Sequence, residues 1–444
     1  MTATPILSPR MSGIKASPAS VLRRRARELR AAGREIIELS SGNLDFPTPD
    51  HVIAAAHEAA QRGETRYTDV DGTPELKRAV QAALLRDHQL DYELNEIVIT
   101  NGSTQALFNA LLATLAPEDE VIVPAPYWAP YLDQVRLAGG TPVIVPCAQN
   151  NGFKLRAEDL QAAISPRTRW VVVNNPVNPS GALYSPEDLA EIAAILLRHP
   201  DVWVLTDGLY EHIVFNGAPA PTLAEIEPRL KPRTLTVSGL AKSYAMMGWR
   251  IGYAAGPAAL IREMITIQSQ TTSGASSISQ AAAIAALDGA QDVLAERAAI
   301  LRARRDRFAE LVNGCSGLSC TPPEATFYLL VSCSGVIGKH APDGKLIATD
   351  RDFSSYLLEQ ADLVVFPGED FGLSPSIRVS FANPSSTIEE AGRRLKRACE
   401  ALQMTTQGKS QGLALTAHLL GLGTGVTVIV GLVPATLALL RALI

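Results

Sequence analysis

Arg169-Trp-Val-Val-Val-Asn174, the helical stretch Pro186–Leu197 and Val202-Trp-Val-Leu-Thr206 together decide the fold. Both short runs are almost continuously apolar and β-branched, the mark of strands covered on both faces, as parallel strands are. Ser185 stands where a helix N-cap belongs, ahead of Pro186. The same alternation extends outward on both sides. Further runs are Glu96–Thr100, Glu120–Pro124, Thr141–Pro146, Thr234–Val237 and Arg250–Ala255, with a helical pattern over Thr104–Leu115. Strands alternating with helices at this spacing predict an α/β layered domain with a mostly parallel sheet, whose ligands collect at the carboxyl ends of the strands.

From about residue 291 the pattern changes to a charged helix over Arg297–Leu311, a few strands and a closing helix over Ile388–Leu402. The expected organisation is therefore an N-terminal arm with part of a small domain (1–45), a large domain (46–290), a small α+β domain (291–404), a polar linker (405–411) and an apolar tail (412–444). The chain has 444 residues, is 47% hydrophobic and 19% charged, and carries a formal net charge of −5. That composition excludes disorder and argues against nucleic acid as a partner, which calls for a basic face. Five cysteines without a CxxC pair point to a reducing compartment. No signal peptide is visible, so the folded part is expected in the cytoplasm.

Lys242 sits in a segment of small and apolar residues, Gly239-Leu-Ala-Lys-Ser-Tyr-Ala, just after a predicted buried strand. Such a lysine is either a snorkelling surface residue or a desolvated amine that reacts with carbonyls. Arg250, eight residues on, offers a fork suited to phosphate. Asn101-Gly102-Ser103-Thr104 closes a strand and opens a helix, which is an ordinary turn or a phosphate cradle. Asp207 follows a very apolar strand, where a carboxylate is costly to bury unless paired; it reads otherwise as an N-cap. Asn178 lies in the turn Asn174-Asn-Pro-Val-Asn-Pro-Ser-Gly181.

Taken together and in this order, these residues resemble the fold-type I pyridoxal-phosphate enzymes, specifically class I aminotransferases of the bacterial aspartate/prephenate group. The resemblance runs from about Ile14 to Leu402 and includes Pro124-Ala-Pro-Tyr-Trp128, Trp249-Arg-Ile-Gly-Tyr-Ala-Ala-Gly256 and Phe371-Gly-Leu-Ser-Pro-Ser-Ile-Arg378. It implies a large domain with a seven-stranded sheet, a smaller α+β domain and pyridoxal 5'-phosphate as cofactor. It implies Lys242, Asp207 and Tyr210 as catalytic residues, with Lys242 carrying the cofactor aldehyde and moving the substrate proton. Asp207 would pair with the pyridine nitrogen, Asn178 and Tyr210 with the ring oxygen, and Trp128 would stack on the ring. Gly102, Ser103, Thr104 and Arg250 would hold the phosphate, with Ser238 beside them. Tyr67 would reach the phosphate of a neighbouring subunit, implying a homodimer. Arg378 would fork onto the α-carboxylate of the amino acid or 2-oxo acid substrate, with the Gly42 backbone, Trp128 and Asn178 also in contact.

Some positions depart from the family pattern. Thr104 and Ala19 replace polar readers of a second carboxylate, and Gly208 replaces a second acid after the strand. The resulting expectation is a neutral or aromatic amino donor, with aspartate and glutamate poorer. The seven histidines have no metal-ligand spacing, so no metal is expected. The Arg23–Arg27 run reads as a solvated helix face. On the same scaffold a carbon–sulfur lyase or a cyclase is the alternative, and a catalytically silent, cofactor-binding or membrane-tethered module is the alternative of another class. Finally, the 22 residues Leu419–Leu440 carry no charge. At about 1.5 Å rise per residue they are long enough to cross a bilayer as a helix, so the tail reads as a membrane anchor or a packing helix.

Overall fold

The computed structural model describes Ser8, Met11, Gly13, Ile14 and residues 18–404. The chain divides into two units at Gln403/Met404, and every described helix and strand lies in the first. The expected linker 405–411 and apolar tail 412–444 lie outside the described residues. Among the described residues no helix is long and apolar enough to cross a membrane.

The strands are β1 (Ile37–Glu38), β2 (Ile97–Thr100), β3 (Glu120–Ala125), β4 (Thr141–Pro146), β5 (Thr168–Asn174), β6 (Trp203–Asp207), β7 (Thr234–Gly239), β8 (Gly252–Ala255), β9 (Tyr328–Ser332), β10 (Leu363–Val364), β11 (Phe366–Pro367) and β12 (Ser376–Ser380). Seven of them form one sheet in the order β2-β8-β7-β6-β5-β3-β4. All its pairs are parallel except those of β8, which runs antiparallel to both neighbours.

The composition of β5 explains its place near the centre. Trp170 and Val172 pack into one apolar cluster with Val123, Leu205 and Leu235, while Val171 and Val173 pack into another with Ile122 and Val204. Side chains alternate across a strand, so only a strand apolar at every position can feed two cores. Each fully buried side chain of this size contributes about 1.5–3 kcal/mol. The helix Pro186–Leu196 that follows is set by a capping box: Ser185 Oγ accepts from the Asp188 N–H at 3.2 Å, and Asp188 Oδ2 accepts from the Ser185 N–H at 2.8 Å.

Two smaller sheets accompany the large one. The antiparallel sheet β11-β12-β9 lies within 291–404, and the parallel pair β1–β10 joins Ile37 to Leu363. The N-terminal segment is thus stitched to the chain's later part. The first helix, Pro18–Ala31, packs Leu22, Ala26 and Leu29, spaced as one helix stripe, against Leu358, Val364, Phe366 and Phe371. The charged helix runs over Asp292–Asn313, longer than its sequence pattern suggested, and the closing helix over Ser385–Ala401.

Strand register puts the chemistry at one edge of the large sheet. Asn174 pairs with Asp207, and Gly252 pairs with both Thr100 and Gly239. Since β8 runs against its neighbours, its first residue lies level with their last ones. Arg250 therefore belongs to this edge although it precedes its strand.

Candidate active site

A cavity of about 370 Å³ opens at that edge, with Lys242 and Asp207 in its wall. Lys242 lies three residues beyond β7, and its Nζ donates to the Gly42 carbonyl at 2.7 Å. Burial pushes the amine below its ordinary value, with the positive charges of Arg378 and Arg250 adding to the effect. That favours the neutral, nucleophilic form.

Asp207 ends β6. Its Oδ2 accepts from the Tyr131 hydroxyl at 2.5 Å and its Oδ1 from the Leu209 N–H at 3.1 Å. Burial nevertheless raises its pKa, and among the described residues no cation is ion-paired to it. A carboxylate held this way fits a positively charged ring nitrogen as its partner.

The phosphate end is built from close backbone approach. Gly102 precedes the helix Ser103–Thr114 and offers no side-chain cap, which leaves first-turn N–H groups available to an anion. A Cβ on Gly102 would lie 2.5 Å from Arg250 Nη2, and one on Gly252 would lie 2.4 Å from the Ser103 nitrogen. Only glycine at both places allows the helix start and the guanidinium to converge. Thr104 and Trp128 line the same cavity, with the Trp128 ring edge-on to Tyr131 at 5.3 Å.

At the other end Arg378, on β12, is buried. Its Nη1 donates to Asn178 Oδ1 at 3.0 Å and its Nη2 to the Ser40 carbonyl at 2.9 Å, while its Nε has no partner. The Tyr328 ring lies 4.1 Å from the guanidinium carbon, and the Tyr210 and Tyr328 hydroxyls are 3.2 Å apart.

One expectation needs correction. Ser238 does not face the cavity: its hydroxyl donates to Glu211 Oε1 at 2.6 Å, because β7 turns that side chain away from the edge. Gly42 lines the cavity as expected, with its carbonyl accepting from Lys242, and the Ser40 carbonyl accepts from Arg378 in addition. The arginines of the Arg23–Arg27 run are exposed, as expected of a solvated face, but one member also reaches the cavity. Arg25 pairs with Glu28 and Glu359, but Arg23, next to the buried Leu22, lies over the Phe366 ring and lines the cavity. Tyr67, expected at a neighbouring subunit's site and not at this one, is 99% exposed and lies outside the wall of the cavity that holds Lys242.

Tyr131, Tyr328, Phe366, Phe371 and Asp370 also line the cavity and were not singled out from sequence. Of these only Tyr131 left a signal, standing three residues after Trp128 and thus one helical turn away. Glu211 was missed as well. Its carboxylate oxygen would lie 3.3 Å from a Cβ on Gly208, so it occupies the space beside the missing second acid. Glu211 Oε2 is 2.8 Å from His88 Nε2, and Glu225 is 3.2 Å from His88 Nδ1. Burial alone would lower His88, yet the two carboxylates hold it up at about 10. Burial alone would raise Glu211, yet His88 holds it down at about 2. The result is a buried ion pair behind the Asp207 strand end. No metal-binding cluster occurs among the described residues, and all five cysteines are free thiols.

The family model for class I and II aminotransferases matches residues 34–395. The chain belongs to that family. An aspartate aminotransferase of Rhizobium meliloti (strain 1021) is 51% identical over 393 residues, 88% of this chain and 96% of that protein. An aspartate/prephenate aminotransferase of Cereibacter sphaeroides is 48% identical over 396 residues, 89% of this chain and 99% of that one. Among solved structures, the aspartate aminotransferase of Rhizobium meliloti matches with a TM-score of 0.88 and 50% identity, covering 90% of this chain and 100% of the other. That of Thermus thermophilus with maleate matches at 0.81 and 36% identity, over 89% of this chain and 100% of the other. This aminotransferase is a fold-type I, pyridoxal-5'-phosphate-dependent enzyme that moves an amino group between an amino acid and a 2-oxo acid.

Proposed function

We propose that Lys242 is the residue that carries the cofactor and shuttles the substrate proton. The observation behind this reading is its half-buried amine, whose pKa burial lowers, in one cavity with Asp207 and Arg378. Bound pyridoxal 5'-phosphate supplies the electron sink. Asp207, oriented by the Tyr131 hydroxyl, would hold the ring nitrogen with its proton. Tyr210 and the Asn178 amide would meet the ring oxygen, Trp128 would stack on the ring, and Gly102, Ser103, Thr104 and Arg250 would take the phosphate. Arg378 would fork onto the α-carboxylate through a guanidinium already aimed by Asn178 and Ser40, leaving the Cα proton to Lys242. Borohydride reduction of the holoenzyme followed by peptide mapping should label Lys242, and a label on any other lysine overturns the assignment.

The homodimer belongs to the same proposal. Tyr67 is almost fully exposed, so its hydroxyl is available to a second copy. A monomer in sedimentation velocity of the holoenzyme would refute this. For residues 412–444 we propose a membrane anchor, on composition alone: Leu419–Leu440 holds 22 uncharged residues. Detergent-free fractionation of the full chain against one ending at residue 411 tests it, and recovery of the full chain outside the membrane fraction ends the idea.

A further inference from the structure

We infer that Arg23, on the first helix, reads the distal group of the amino donor and selects a side-chain carboxylate. This rests on the reading of Arg378 as the α-carboxylate fork.

The Arg23 guanidinium carbon is 5.2 Å from the Phe366 ring centroid, and the Arg378 guanidinium carbon is also 5.2 Å from it. The two cations are therefore separated by at most twice that distance, with both residues in the wall of one cavity. A four- or five-carbon diacid, gripped by a charge pair at each end, can bridge such a span. Arg23 is also uncommitted. On the helix Arg25 holds Glu28 and Glu359 and Arg30 holds Glu38, whereas Arg23, like Arg24 and Arg27, is ion-paired to no carboxylate among the described residues, and of these three only Arg23 lines the cavity. Phe366 fixes its head by a cation–π contact without neutralising it.

The electrostatics agree. Burial is the main cause of the lowered Arg378 pKa, and the positive charge of Arg23 adds to it. Asp207 and Asp370 are the acids in the cavity wall. Asp370 Oδ1 accepts from Arg351 Nη2 at 3.0 Å, and neither acid is ion-paired to Arg23. The absence of a polar reader at Thr104 suggested a neutral donor; a cation arriving from a different element reverses that expectation. Planar bidentate recognition needs arginine, so lysine should substitute only in part.

The test uses holoenzyme and half-reaction kinetics for aspartate, glutamate, alanine and phenylalanine in the wild type, Arg23→Gln and Arg23→Lys, with succinate and propionate binding measured by calorimetry. We expect the ratio of kcat/KM for aspartate to that for alanine to fall at least tenfold in Arg23→Gln and less in Arg23→Lys. Succinate affinity should fall tenfold or more relative to propionate. An unchanged ratio, an equal loss for all four donors, or a wild type that prefers alanine to aspartate overturns the inference. A wild type inert toward every donor would instead refute the underlying assignment of the site.

Discussion

The two ends of the cavity are built in different ways. The cofactor end is made by strand termini of one sheet: Gly102 beyond β2, Asn178 beyond β5, Asp207 closing β6, Lys242 beyond β7 and Arg250 ahead of β8. The substrate end is assembled from Arg23, Ser40, Tyr328, Phe366 and Arg378, contributed by a helix, a loop and three strands of a different sheet. A parallel sheet delivers its strand ends to one edge automatically, so each cofactor residue needs only a local motif. The substrate end depends on how a second layer docks, and its residues have no common motif. On the proposed reading the strand-end part carries the cofactor chemistry and the assembled part carries donor choice.

Replacing Lys242 with alanine is the sharpest test of the first half of this contrast. The half-reaction should slow by about 10⁴-fold, because both nucleophile and proton shuttle are lost, with stability little changed. Single-turnover absorbance measurements report it directly. A rate within tenfold of wild type would move the chemistry to another residue.

The support beneath the cofactor end is tested by His88→Leu, which strips Glu211 of its buried cation. The expected loss is about 3–5 kcal/mol in urea unfolding, typical of breaking one partner from a buried pair. The pH dependence has a definite sign. His88, raised to about 10, contributes stability that is full below its ordinary value near 6.5 and is lost as pH climbs through 10. Glu211, lowered to about 2, contributes stability present above its ordinary value near 4.5 and lost as pH falls through about 2. The gap between wild type and variant should therefore be widest between those ordinary values and close toward either extreme. A gap independent of pH would mean that packing, not charge, links the pair.

At the substrate end, Arg378→Gln should lower kcat/KM by about 100-fold for every donor, mostly through KM, as the loss of a charge-assisted fork predicts. Steady-state kinetics across acidic and neutral donors separate this uniform loss from the selective one expected at Arg23. A fall confined to kcat would mean that Arg378 acts in the chemical step instead.

The smallest effect belongs to the scaffold alone. Ser185→Ala removes one half of the capping box and should cost about 1 kcal/mol in thermal or chemical unfolding, with donor preference unchanged. A shift in donor preference would show that the sheet edge and the helix layer are coupled more tightly than the local geometry suggests.

The same division separates residues legible in the sequence from those that are not. The β5–helix–β6 unit is legible because its apolar runs and its cap are local signals, and the helix ends at Leu196 within one residue of expectation. The family resemblance makes Ser238 a phosphate candidate, while in the fold its hydroxyl donates to Glu211. Arg23 reads as surface and is exposed, but a helical arginine run has no internal mark to show which member leans over a ring supplied by residue 366.

By itself the sequence determined the α/β class, the strand–helix order and the strand-end residues Asn178, Asp207 and Lys242, because hydrophobic period and turn chemistry are written within a few residues of each other. Tertiary structure alone decided that β8 runs antiparallel and so brings Arg250 level with Gly102. It alone decided that Glu211 and His88 form a buried ion pair and that Arg23 shares a cavity with Arg378. Those outcomes depend on strand direction and on the docking of distant layers, and no short-range pattern encodes a contact between residues 23 and 366.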